Sequence, residues 1–205
     1  MSDALVFALI AALGNVLGAL AVTRRAARGL TVIEHFVAFG AGFMLAVALV
    51  EIFPAALERS GTAAPWLVLG GYLAVHLTQH TVTPHFHFGE ETHAVTRVAG
   101  TSALVGLLLH TFFDGVAIAS AVLVRPALGL MVFVAIFLHK LPEGVTIASL
   151  MLAGGRSGGR AVAAAALLGV ATLVGVVVTD VVGFLVLLGL ALSAGVTIYV
   201  AASNL

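Results

Sequence analysis

Uncharged apolar runs close to 20 residues long follow one another along this chain, and no other feature restricts its fold as strongly. A run of that length crosses the hydrocarbon core of a bilayer as a helix, where every backbone N–H and C=O must be satisfied within the segment. Seven such spans are expected, at about 5–22, 33–53, 65–79, 98–124, 127–153, 161–179 and 181–203. Composition agrees: 61% of residues are apolar and 9% are charged, against about a quarter charged in soluble domains. The expected fold is all-α, a polytopic transmembrane helix bundle. It forms a single membrane domain over 1–205, because the longest polar stretch, 80–97, is only a loop between spans three and four.

The first run has no basic segment before it, and Arg24, Arg25 and Arg28 follow it, so it reads as a span and not as a signal peptide. Arg24, Arg25, Arg28, Arg97, Arg156 and Arg160 fall in odd-numbered loops, whereas only Arg59 and Arg125 fall in even-numbered ones. Basic residues are retained on the cytoplasmic side, which places the N-terminus outside. Zero net charge gives no reason to expect nucleic acid as a partner. Cysteine is absent, so imidazole and carboxylate are the strong metal ligands available.

Those ligands recur in an internal repeat. His110-Thr-Phe-Phe-Asp114-Gly115-Val-Ala-Ile-Ala-Ser120 aligns with His139-Lys-Leu-Pro-Glu143-Gly144-Val-Thr-Ile-Ala-Ser149. Residues four apart share one helix face, so each copy presents an imidazole and a carboxylate together. Successive spans run antiparallel, which lets the two copies converge near the membrane midplane. Two nitrogen and two carboxylate ligands suit Zn²⁺, Fe²⁺ or Mn²⁺. A central Asp costs roughly 2.5–3.5 kcal/mol to insert, so these groups need a partner in the bundle interior. A bound dication would serve; an interhelical hydrogen-bond network is the plainer alternative.

Gly115 and Gly144 follow the carboxylates and allow close helix approach. Pro142 removes one helical hydrogen bond beside Glu143, as a hinge or as a tolerated kink. Ser120 and Ser149 read as packing residues. Beyond the repeat, Glu51 and Asp180 near outer helix ends would either raise the local cation concentration or serve as ordinary interfacial carboxylates. His76 and His80, four apart near the inner end of span three, have the spacing for an inner metal relay or are ordinary interfacial histidines. They adjoin a His-rich segment with His85, His87, Glu90, Glu91 and His93, which binds metal loosely or is a solvated loop. Glu34 and His35 are weaker inner candidates.

The paired motifs resemble those of the ZIP family of divalent metal transporters, which read HNxPEG in span four and HExPEG in span five. HTFFDG and HKLPEG match at His110, Asp114, His139 and Glu143, and the 194–201 segment is similar to the family's seventh span. The resemblance implies eight spans with both termini outside and transport of zinc, or of iron, manganese or cadmium, toward the cytoplasm. It is to the bacterial type, which implies the cytoplasmic membrane. Seven of the eight expected spans are present, since the chain stops at Leu205 where members continue into an eighth; a C-terminal truncation is the expectation.

Some members hold a second metal on an Asn, a carboxylate and a Glu, and the matching positions here are Thr111, Lys140 and Thr172. A single-metal site is therefore expected, with Lys140 as an internal counter-ion; the alternative has Lys140 snorkelling to the outer interface.

The reading predicts no resident cofactor: the metal is cargo, the bilayer is the surroundings, and a homodimer is compatible with it. The rival function is an intramembrane zinc hydrolase, whose site would keep three protein ligands and an open position. A purely structural bundle leaves the repeated buried charges unexplained.

Overall fold

The computed structural model describes residues 2–24, 39, 41–81 and 97–203, and among them there are helices and turns but no strands. The all-α expectation therefore holds. Helix α1 is Ser2–Arg24, with Asp3 in its first turn and Arg24 in its last, charges that complement the helix dipole. Helix α2 covers 41–60, α3 is Ala64–Thr81, α4 is Arg97–Val124, α5 is Pro126–Ala153, α6 is Gly158–Val181 and α7 is Gly183–Ser203. By length and composition, Ser2–Arg24, Ala41–Thr78, Ala103–Val124, Pro126–Ala153 and Gly158–Val181 are able to cross a membrane, and Leu188–Ser203 is a shorter apolar helix. The Ala41–Thr78 stretch contains both α2 and α3, folded apart by the turn at Gly61–Ala63.

Local chemistry sets the breaks. Gly61 closes α2 with φ 54°, a backbone conformation open to glycine. Arg125 is extended and Pro126 opens α5, the first-turn position where a missing N–H costs nothing. The Ser157 hydroxyl caps α6 by accepting from the Arg160 backbone N–H at 3.4 Å.

Two expected boundaries shift. The second span does not end at Phe53: Pro54 lacks a donor, and the helix widens into a π turn at Ala48–Ile52 and continues to Ser60. Residues 33–38, with Glu34 and His35, lie outside the described residues. The last helix starts at Gly183, because Val181 still belongs to α6 and extended Val182 makes the break.

Helices α1, α4, α5 and α6 pack on one another, α3 and α2 pack on α7, and α4 also touches α7. Reciprocal glycines make the closest crossings. A methyl on Gly115 would overlap the Thr172 carbonyl oxygen, and one on Gly175 that of Phe112, which joins α4 to α6. Gly144 and Gly18 do the same against Asn15 and Leu141, joining α1 to α5. The repeat glycines thus bring in α6 and α1 rather than drawing α4 and α5 together as their placement in the sequence suggested. Leu9, Leu13 and Leu17 of α1 and Val170, Val174 and Val177 of α6 point outward and are exposed, an apolar belt suited to lipid tails.

Candidate metal centre

Helices α4 and α5 form a hairpin whose tip is the single residue Arg125. His110 lies fifteen residues before that tip and His139 fourteen after it. At about 1.5 Å of rise per residue the two imidazoles reach nearly the same depth, roughly 21–22 Å from the tip. Their ring centroids are 5.4 Å apart. The hairpin geometry therefore converts the sequence repeat into a facing pair.

Asp114 lies between the two rings. Its Oδ2 is 3.4 Å from Nε2 of His110 and 3.4 Å from Nε2 of His139. One ligand atom from each of these three residues falls within 4.8 Å of the others, the one such group of His, Asp and Glu side chains found among the described residues. His139 Nδ1 donates to the Ala135 carbonyl at 3.2 Å. With Nδ1–H so committed, a neutral His139 carries its lone pair on Nε2 toward Asp114 Oδ2, whereas an imidazolium donates to that oxygen as well, at 3.4 Å. Neither ring nitrogen of buried His110 has a hydrogen-bond partner, its approach to Asp114 being too poorly aligned to count as one.

Glu143 stands outside that triplet. Because the repeats run antiparallel, the His-to-carboxylate step points toward the hairpin tip on α4 and away from it on α5, so the backbone positions of Asp114 and Glu143 are offset in opposite directions from the level of the histidines. Lys140 joins the two carboxylates. Its Nζ donates to Asp114 Oδ2 at 2.6 Å and to Glu143 Oε2 at 2.8 Å, with the whole side chain buried. This overturns the snorkelling alternative: the ammonium points into the bundle because two buried carboxylates hold it there. One ammonium is thus shared between two buried carboxylates, and Glu143 Oε1 has no hydrogen-bond partner.

A third helix contributes a residue that no motif flagged. Asn15 of α1 is fully buried, and one arm of its carboxamide faces two oxygens, Glu143 Oε2 at 3.2 Å and the Lys140 carbonyl at 2.6 Å; because a carboxylate and a carbonyl only accept, that arm is assigned as the amide nitrogen, donating to both. Its only trace in the sequence is that it is the sole amide in an apolar run.

Thr111 and Thr172 are buried beside the site, yet their hydroxyls bond their own helices, to Leu108 O at 3.1 Å and Leu168 O at 3.3 Å. Ser120 is buried with no partner for Oγ, whereas Ser149 is exposed, so the repeat loses its symmetry there. Pro142 is carried within an unbroken α5, and Thr146 Oγ1 donates to its carbonyl at 3.0 Å.

The remaining candidates stand apart from this cluster. Glu51 pairs with Arg125 at 2.9 Å, a partly exposed ion pair at the hairpin tip. Asp180 is exposed near the end of α6. His76 packs between Tyr72 and Tyr199, with ring centroids 6.1 and 5.6 Å away. The His80 side chain and residues 82–96, with the rest of the His-rich segment, lie outside the described residues.

Residues 89–205 match the model of the ZIP zinc transporter family. No curated protein matches the chain. The matched stretch contains every residue of the cluster except Asn15.

Proposed function

The chain belongs to the ZIP zinc transporter family, and from that premise we propose that it carries zinc toward the cytoplasm through a single site at His110, Asp114, His139 and Glu143. Members of the family are divalent metal transporters and not enzymes, which sets aside the hydrolase reading. The observation that carries the site assignment is a set of buried polar atoms that no protein group satisfies, the two ring nitrogens of His110 and Oε1 of Glu143, beside a His139 whose Nδ1–H is committed to the Ala135 carbonyl. A neutral His110 keeps one nitrogen lone pair and Glu143 Oε1 has only lone pairs, and a cation is the partner that satisfies them.

His139 and Glu143 each add support to this reading. Donation of the other ring N–H to a backbone carbonyl is how metal-ligating imidazoles are oriented. Lys140 and Asn15 both bond Oε2 of Glu143, which leaves Oε1 for the ion. Lys140 holds the charge near neutrality while no ion is bound and opposes the cargo once it is, favouring its release. The Thr111 and Thr172 hydroxyls, turned onto their own backbones, offer a second ion no anionic ligand. Binding requires neutral imidazole and ionised carboxylate, so acidification competes with the ion.

Zinc uptake into proteoliposomes tests the assignment. The wild-type chain should give saturable flux, and His110→Ala or Glu143→Ala should abolish it; unchanged flux in both variants would remove these residues from the pathway.

A further inference from the structure

We propose that Asn15 is a positioning residue for the metal ligand Glu143, which makes α1 a third wall of the site. This inference rests on the reading of Glu143 as a ligand.

The contact is built in rather than incidental. Gly144 leaves no room for a side chain because the Asn15 backbone lies against it, and Gly18, one turn along α1, lies equally close to Leu141. Those two crossings fix α1 over the Lys140–Val145 stretch of α5. Asn15 is thereby the α1 residue that faces the carboxylate. Its carboxamide bonds two atoms of α5 at once, Glu143 Oε2 and the Lys140 carbonyl oxygen. Two anchor points fix the amide plane and direct one N–H at the carboxylate.

Both fixed donors to Glu143, Asn15 Nδ2 and Lys140 Nζ, take Oε2, and neither takes Oε1. A carboxylate held by one oxygen presents the other in a defined direction. Lys140 divides its ammonium between Asp114 and Glu143, whereas Asn15 donates to Glu143 and to no other carboxylate. Asn15 is short and fully buried, and it moves only with α1. Side chains that orient a metal ligand typically change affinity 10- to 100-fold when removed.

The test uses Co²⁺, whose absorption reports ligand geometry, on the full chain in detergent and in proteoliposomes. Asn15→Leu keeps the branched shape and removes the donor, with added bulk; Asn15→Ala, which lacks both donor and bulk, serves as a second variant should the first fail to fold. The expected result is a 10- to 100-fold rise in the Kd and KM for Co²⁺, a changed Co²⁺ spectrum, and a maximal flux per folded protein within about twofold of wild type. On a Glu143→Ala background, Asn15→Leu should have no further effect on Kd, since its route of action is gone.

A purely structural Asn15 would instead lower the folded yield and leave KM and spectrum unchanged, and that result overturns the proposal. An equal loss of affinity with and without Glu143 overturns it too. Should Glu143→Ala itself leave Co²⁺ affinity untouched, the failure belongs to the site assignment.

Discussion

Lys140 Nζ lies 2.6 Å from Asp114 Oδ2, within the bundle and on the very oxygen that both histidines approach. A fixed positive charge thus sits where a metal site would ordinarily be purely anionic. On the proposed reading that charge stabilises the two carboxylates between ions and competes electrostatically with the cargo.

Removing that charge should separate the two effects. In Lys140→Met, two buried carboxylates lose their partner, a change of the kind that costs about 3–5 kcal/mol. Thermal unfolding in detergent should show the variant strongly destabilised without metal and rescued by zinc far more than wild type. Its zinc affinity, measured by titration, should rise. Equal stabilisation of both proteins by zinc would contradict the counter-ion role.

Reversing the charge should change the stoichiometry. Lys140→Glu places a third carboxylate beside Asp114 and Glu143, and a second cation becomes the available compensation. Metal analysis of the purified variant should give two ions per chain against one for wild type. One ion in both would remove the main support for Lys140 standing in for a cation.

The glycine crossings give a prediction about stability alone. Gly144→Ala drives a methyl into the α1 backbone and should cost about 1–3 kcal/mol in thermal unfolding. Gly70 has nothing within 4 Å of the same added atom, so Gly70→Ala should be neutral or stabilising by up to about 1 kcal/mol. Equal effects at the two positions would mean that α1 does not bear on α5 as described.

The sequence made the central pair legible because a repeat of His and carboxylate at i, i+4 has one geometric meaning on a helix, and because Arg125-Pro126 marks a hairpin tip midway between its copies. The distances that follow from side-chain reach were less accessible. Which oxygen of Glu143 is engaged, and that Lys140 spans to Asp114, depend on rotamers and on antiparallel offset, not on spacing. Asn15 was invisible for a different reason: its role arises from a crossing of helices more than a hundred residues apart, and a lone amide has no periodicity. The π turn at Ala48–Ile52 was missed because Pro54 reads as a stop, while in the fold a widened turn absorbs the missing donor. The pairing of Glu51 with Arg125 was not legible either, because the two lie 74 positions apart.

The central claim is that these residues enclose one dication. Anomalous diffraction at the zinc edge from crystals of the metal-loaded protein tests it most directly. The account predicts one ion between α4 and α5, with His110 and His139 nitrogens at about 2.0–2.1 Å and carboxylate oxygens of Asp114 and Glu143 at about 2.0–2.2 Å. An ion bound elsewhere, with Lys140 still bridging Asp114 and Glu143 and both imidazoles unligated, would contradict it.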